Sequence, residues 1–130
     1  MDETTGKRMT LALRNDAVQA GIDVDQALER LGGDEALFIE LARLMVDDGQ
    51  QLLGRIRAAV ERGEAGELRQ AAHKAKGALA IFGPRSAVRL ASELEGYGAN
   101  GEIAAARQAF PAFESELGRV LATLSRIAAS

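Results

Sequence analysis

Apolar residues recur every three or four positions along most of the chain, which is the spacing of one face of an α-helix. Runs that alternate apolar and polar side chains, as half-buried strands do, are nearly absent. Breaks in the pattern separate one short segment from four long ones, which begin near residues 34, 64, 84 and 102. Since four amphipathic helices joined by short turns pack best side by side, we expect an all-α protein. The predicted fold is an antiparallel four-helix bundle with a short extra N-terminal helix.

Acidic residues mark the starts of the first two predicted helices. Asp23 and Gln26 fit a capping box, in which Asp23 accepts from a backbone N–H and Gln26 reaches back. Asp34 is expected to cap the first long helix. The core positions predicted for that helix are Leu37, Leu41, Leu44, Met45, Leu52, Ile56 and Ala59.

The last long helix carries the clearest apolar pattern. It is preceded by "GYGANG" at 96–101, a glycine-rich stretch that predicts a turn. Spacings of three and four then alternate, as in a heptad seam. We expect this seam to face the other long helices; it consists of Ile103, Ala106, Phe110, Phe113, Leu117, Val120, Leu124 and Ile127.

Length and composition narrow the class of protein. A chain of 130 residues suits one domain, which we place at 21–128 behind a partly helical N-terminal tail at 1–20. The net charge of −3 gives no reason to expect nucleic acid as a partner, and without cysteine no thiolate metal site can form. No apolar run approaches the length of a membrane span, and the polar N-terminus lacks the apolar core of a signal peptide. A cytoplasmic location without membrane contact is therefore the expectation.

The single histidine, His73, lies in the predicted helix that begins near residue 64. On a helical wheel it falls about 140° from Leu68, away from the predicted buried stripe. Arg69, Lys76 and Ala80 share its face, which also carries Gly77 one turn further on. Lys76 can neutralise an anion on the ring, and the missing side chain at position 77 lets another molecule approach closely. This combination favours a histidine that accepts a phosphoryl group, although a surface histidine without a role has the same exposure. The stripe opposite consists of Leu68, Ala72, Ala75, Leu79 and Phe82.

These residues resemble the signature of histidine-containing phosphotransfer (HPt) domains. In that family a histidine is followed by lysine at i+3, by glycine at i+4 and i+10, and by a Leu-Glu pair on the next helix. The matching residues here are His73, Lys76, Gly77, Gly83, Leu94 and Glu95. The resemblance extends over about residues 22 to 125. One departure is Ala75, where the family usually has leucine or isoleucine.

The resemblance implies a phosphorelay intermediate of two-component signalling. His73 would accept a phosphoryl group from an aspartate of one response-regulator receiver domain and pass it to another. Lys76 would stabilise charge, and Gly83, Leu94 and Glu95 would belong to the structural motif. The residues expected to contact the partner are Arg69, Gln70, Lys74, Gly77 and Ala80.

The same resemblance also implies the partners, the cofactors and the oligomeric state of the chain. Its partners would be receiver domains and a hybrid sensor histidine kinase. Mg²⁺ is expected on the receiver, while this chain would bind no metal or other cofactor. With no ATP-binding or kinase site of its own it would not be an enzyme, and a filled bundle suggests a monomer.

Three other readings compete with this one. A histidine-kinase dimerisation domain normally has an acidic residue directly after its histidine and a proline soon afterwards, but here Lys74 follows and the next proline is Pro84. A metal-dependent bundle enzyme needs several inward Glu and His ligands, which one outward histidine does not supply. A helical-bundle interaction module without phosphotransfer stays open, and phosphorylation by a cognate receiver would discriminate.

Overall fold

The computed structural model describes residues 9–129, and throughout that range the regular structure is helical. Two short helices, α1 (Leu11–Gln19) and α2 (Val24–Arg30), precede four long ones. The long helices are α3 (Glu35–Arg62), α4 (Ala65–Ala80), α5 (Arg85–Asn100) and α6 (Ile103–Ala129). Turns of two to four residues join the long helices, so consecutive helices run antiparallel. The predicted all-α four-helix bundle is confirmed, with two short N-terminal helices where one was expected.

The core fills the space between the four long helices. Each of α3 and α5 packs against both α4 and α6. The largest fully buried side chains come from all four, which makes one continuous core, and they include Phe38, Ile56, Leu68, Leu79, Phe82, Leu94, Phe113, Leu117, Leu124 and Ile127. Burying one such side chain contributes about 1.5–3 kcal/mol before its entropy cost.

The heptad seam of α6 is present as the sequence predicts. Every member is buried except Ile103, which is half-buried at the first position of the helix. The helix continues through Pro111 to residue 129. Helix α1 packs onto the outside of α6, where Arg126 Nε lies 3.2 Å from a carboxylate oxygen of Asp16.

Helix α1 occupies residues 11–19 of the stretch expected to be a partly helical tail. Residues 1–8 of that stretch lie outside the described residues. The proposed division of the chain at residues 20 and 21 stays a prediction.

Both predicted acidic caps are present. An oxygen of Asp23 accepts from the backbone N–H of Gln26 at 3.0 Å, and one of Asp34 accepts from that of Leu37 at 2.9 Å. The reciprocal half of the capping box is wrong, because the Gln26 side chain accepts instead from the guanidinium of Arg30. Arg30 lies one turn further along the helix, and its guanidinium binds the side-chain oxygen of Gln26 that was expected to accept from the backbone N–H of Asp23.

Arg30 also joins α2 to the end of α4. Its guanidinium donates to the carbonyl oxygens of Ala80 at 3.1 Å and Ile81 at 3.4 Å. The backbone N–H of Asp23 donates to the carbonyl of Phe82, again just beyond the last turn of α4. Carbonyls at a helix C-terminus have no partner within their own helix, so these bonds satisfy groups that would otherwise face water.

The core positions predicted for α3 are wrong in its first third. Leu37 and Leu44 are 41 % and 51 % exposed, and Leu41 is half-buried. Phe38 is buried in their place, in edge-to-face contact with Phe82 on the far side of the core. This third of α3 is apolar on two adjacent faces, and the face with the large aromatic ring was the one to be buried. The remaining predicted positions are buried as expected, namely Met45, Leu52, Ile56 and Ala59.

The glycine-rich stretch at 96–101 is not a turn, which corrects a second prediction. Helix α5 continues to residue 100 and ends at Gly101, whose φ of 70° is left-handed. Gly98 is buried, and a methyl group there would lie 2.6 Å from the backbone nitrogen of Arg69 and 2.8 Å from the carbonyl oxygen of Ala65. The absence of a side chain therefore lets α5 approach the backbone of α4 closely. That close approach holds α5 beside the helix that carries His73.

Candidate functional site

His73 projects outward from the middle of α4. The opposite side of the helix is buried, and 67 % of the imidazole side chain is exposed. A methyl group built at Gly77, one turn on, would meet nothing within 4 Å among the described residues. The structure thus places the ring on open surface, on the side that the helical wheel indicates.

Glu95 of α5 holds one nitrogen of the ring. Its Oε2 lies 2.8 Å from Nδ1 of His73. An ionised carboxylate can only accept a hydrogen bond, so Nδ1 must be the donor. In the neutral ring the lone pair then belongs to Nε2, which has no hydrogen-bond partner in the part of the chain described. The contact therefore selects one tautomer and leaves the lone pair on the outer nitrogen, Nε2, which can act as a nucleophile.

The second oxygen of the same carboxylate binds Lys76. The Lys76 Nζ lies 2.6 Å from Oε1 of Glu95. This hydrogen bond is the main reason that the pKa of Glu95 lies below its usual range; His73 lowers the pKa less, and partial burial opposes both. Glu95 therefore stays ionised at neutral pH and links the imidazole and the ammonium group through one carboxylate.

A cavity of about 410 Å³ opens beside the ring. Its rim carries three cations, of which Arg55 is fixed by an ion pair with Glu67 at 2.8 Å. That guanidinium is also the main reason that the pKa of Glu67 is lowered. The cavity is lined by Arg55, Arg69, Gln70, His73, Lys74 and Glu95. With four cations near the ring and two carboxylates, the surface is locally positive on a chain whose net charge is −3. Such a patch suits an anionic group or an acidic partner.

A larger cavity of about 780 Å³ lies at another part of the surface, against α1, α2 and the start of α5. It contains none of the side chains around His73, and its charged lining mixes both signs. Size alone therefore does not identify a functional site, and His73 with its neighbours is the stronger candidate. Within residues 9–129 no group of three or more histidine or acidic side chains is arranged to hold a metal ion.

The structure brings together most of the residues singled out from the sequence. Arg69, Gln70 and Lys74 share the cavity with His73, whereas Gly77 and Ala80 are exposed further along α4. Gly83 has a left-handed φ of 74° and Leu94 is buried, and their assignment to a structural motif stays a prediction.

Sequence reasoning missed the contacts of one residue of the site and did not consider another. Glu95 was expected to serve only the structural motif, but its two oxygens bind the side chains of His73 and Lys76. Arg55 was not considered, since it lies on α3 and reaches the site across the surface. Only Glu95 could have been found from the sequence. It directly follows the buried Leu94, so its side chain lies about 100° around the helix axis, at the border between the buried and the exposed face.

Comparison with known proteins agrees with this geometry. The Hpt domain family model matches residues 40–123, which contain His73, Lys76, Gly77 and Glu95. The crystal structure of histidine-containing phosphotransfer protein B (HptB) from Pseudomonas aeruginosa PAO1 is similar, with a TM-score of 0.73 and 27 % sequence identity. The match covers 81 % of this chain and 91 % of that one, and no curated protein matches. None of the helices in residues 9–129 is long and apolar enough to cross a membrane. The chain belongs to the Hpt domain family, the histidine phosphotransfer carriers of two-component phosphorelays.

Proposed function

We propose that this chain is a phosphorelay intermediate in which His73 is the phosphoryl acceptor. It takes the group from an aspartate of one receiver domain and delivers it to an aspartate of another. The observation that carries the proposal is the exposed imidazole whose Nδ1 is held by Glu95, because this contact leaves Nε2 ready to attack. A hybrid sensor histidine kinase, which contains its own receiver, is the expected source of the phosphoryl group.

The transfer forms one bond and breaks another at phosphorus. The Nε2 lone pair attacks the phosphorus atom of the receiver's aspartyl phosphate, and the P–O bond to the aspartate breaks. The carboxylate leaves with the bonding electrons, while the Nδ1 proton stays on the ring. The ring then carries a positive charge, which the carboxylate of Glu95 stabilises at 2.8 Å. Delivery to the second receiver is the reverse of this step, so one geometry serves both.

The roles proposed for the other site residues follow from positive charge near the ring and from open space beside it. The transition state of phosphoryl transfer spreads negative charge over three oxygens, and positioning with charge stabilisation supplies most of the catalysis. Lys76 lies one turn from the ring and can approach those oxygens, while Arg69 and Lys74 attract the anionic receiver. Gly77 leaves room for it. Any Mg²⁺ would be held by the carboxylates of the receiver, and this chain needs no cofactor in the proposed step.

The proposal predicts complete loss of transfer in His73→Ala. The wild-type chain, incubated with a phosphorylated receiver or with phosphoramidate, should take up acid-labile, base-stable label. His73→Ala should take up none from either donor. Its free energy of unfolding should stay within about 0.5 kcal/mol of wild type, because the side chain is exposed.

Gln108→Ala, at an exposed position on α6 away from His73, is the matched control and should still be labelled. Label on His73→Ala would show that another residue is the acceptor. A wild-type chain that binds receivers yet takes no label from any donor would favour the interaction module instead.

A further inference from the structure

The cavity of about 410 Å³ beside His73 is lined by cations whose donor groups are largely unused. Arg55 binds Glu67 through Nε, at 2.8 Å, so its two terminal Nη groups have no partner among residues 9–129. The side chains of Arg69 and Lys74 likewise make no hydrogen bond or ion pair within that range. Three cationic side chains with unused N–H donors therefore meet in one cavity.

The charge of the cavity lining matches a doubly negative ligand. Arg55, Arg69 and Lys74 supply three positive charges and Glu95 supplies one negative charge, which leaves an excess of two. Glu95 is already bound through both of its oxygens, so it presents little unpaired charge to a ligand. A phosphoryl group on a small carrier has about two negative charges at neutral pH, as a phosphorylated side chain does. Guanidinium groups bind such oxygens with two parallel hydrogen bonds.

The size of the cavity suits a small molecule. Ligand pockets span about 300 to 1,000 Å³, and 410 Å³ lies near the lower end of that range. A phosphoryl group fills part of this space and leaves room for a leaving group of a few heavy atoms. The imidazole of His73 forms part of the wall, so a ligand held there lies next to the ring. Gln70 adds an amide that can donate or accept.

We propose that this cavity binds small phosphoryl donors, and that the chain is loaded from such molecules as well as from a receiver. The inference rests on the proposed function of His73. The receiver's aspartyl phosphate is an acyl phosphate, so a small acyl phosphate, or a phosphoramidate, presents the same kind of reactive phosphorus. In a receiver Mg²⁺ neutralises the phosphoryl oxygens, whereas in the cavity the cations of Arg55, Arg69 and Lys74 do so.

The loading step exchanges one bond at phosphorus for another. The Nε2 lone pair of His73 attacks the phosphorus atom, and the bond from phosphorus to the leaving group breaks. The nitrogen of phosphoramidate is protonated and departs as neutral ammonia with the bonding electrons, while an acyl phosphate releases a carboxylate. The Nδ1 proton stays on the ring, and the carboxylate of Glu95, 2.8 Å from Nδ1, stabilises the positive charge of the phosphorylated ring.

The larger cavity of about 780 Å³ provides a contrast within the same molecule. Its lining contains three arginines and three carboxylates, so the charges cancel and a dianion gains no net attraction. Arg14 in that lining is already paired with Asp25 at 3.1 Å. Arg119 of α6 also lines it, and its substitution removes one positive charge away from His73. Arg119→Gln is therefore the matched control for loss of a cation.

The test is how the labelling rate depends on donor concentration at constant ionic strength. A donor that reacts by collision labels the ring in proportion to its concentration, whereas a bound donor gives a rate that saturates. We expect saturation with phosphoramidate or acetyl phosphate and competition by inorganic phosphate. Arg55→Gln should raise the half-saturating concentration about tenfold at an unchanged maximal rate, and Arg55→Lys should raise it less, because one cation remains without the two-pronged geometry. Arg119→Gln should change neither quantity.

The outcomes separate this inference from the proposed function. Labelling in proportion to concentration with both donors would overturn the cavity as a donor site, while transfer from a receiver would still support His73 as the acceptor. Arg69→Gln, at an exposed position, gives the same comparison without disturbing the ion pair of Glu67, and wild-type half-saturation in both arginine variants would also overturn the inference. Absence of label on wild type from every donor, receivers included, would overturn the proposed function itself.

Discussion

The inward seam of α6 and the outward row of α3 that contains Leu37 and Leu44 are built from the same kind of residue, but only one of them is core. Leu117 and Leu124 in the seam are fully buried, whereas Leu37 and Leu44 in the row are about half exposed. Helix α6 has one apolar face, so its spacing leaves a single choice of orientation. Helix α3 has two adjacent apolar faces in its first third, and only tertiary packing decides between them. Leucine at helical spacing therefore predicts a contact surface without saying whether the contact is internal.

The largest effect on stability should come from the seam. Truncating Leu117 to alanine removes a fully buried side chain and should lower the free energy of unfolding by about 2–5 kcal/mol. The same truncation at Leu44 should cost less than about 1 kcal/mol, because water already reaches much of that side chain. Chemical denaturation of the two variants measures both values. Equal costs would contradict the distinction between seam and outward row.

A pair of glycines on neighbouring helices sharpens the same contrast. Gly98→Ala forces a methyl group against the backbone of α4 and should destabilise by about 1–3 kcal/mol, since a backbone cannot turn aside as a side chain can. Gly77→Ala adds a methyl group to open surface within a helix and should stabilise by up to about 1 kcal/mol. Thermal unfolding of both variants is the measurement. A stabilised Gly98→Ala would mean that α4 and α5 are further apart than described.

The smallest expected effect concerns the ion pair on the outer face. The pKa of Glu95 is lower in the folded chain than in an unfolded one, chiefly through the hydrogen bond from Lys76. Its stabilising contribution is therefore present above the unfolded carboxyl pKa and is lost as pH falls through the folded value. Glu95→Gln lacks this contribution, so its free energy of unfolding should decline less than that of wild type on acidification from about pH 6 to pH 3.

We expect a difference below about 1 kcal/mol, because solvent screens the pair. Urea denaturation at each pH provides the comparison. An identical decline in both chains would show that the pair contributes nothing to folding. Compared with the loss expected at Leu117, even the full effect is small, so this ion pair is expected to contribute little to the stability of the fold.

Much of the fold could be predicted because it depends on residues close in sequence. The seam of α6 and the caps at Asp23 and Asp34 follow from periodicity and local hydrogen bonding. Gly98 was interpreted wrongly for the opposite reason. Glycines in a run usually mark a turn, and nothing local shows that the backbone of another helix requires the space at residue 98.

The candidate site divides in the same way. The outward position of His73 and the nearness of Lys76 follow from a single helix. The pairing with Glu95 depends on how α4 and α5 are aligned, and the contribution of Arg55 on the position of α3. Single-helix geometry therefore locates the proposed nucleophile, while the groups that orient it and surround it require the assembled bundle.

The presence of one histidine in the chain has a spectroscopic consequence. A proton NMR spectrum of the protein contains the imidazole signals of a single ring, so no assignment of histidines is needed. In the proposed reaction, attachment of a phosphoryl group would change the electronic environment of that ring and move its signals. With phosphoramidate as donor, arrival and departure of the group could thus be followed in real time without isotope, antibody or gel.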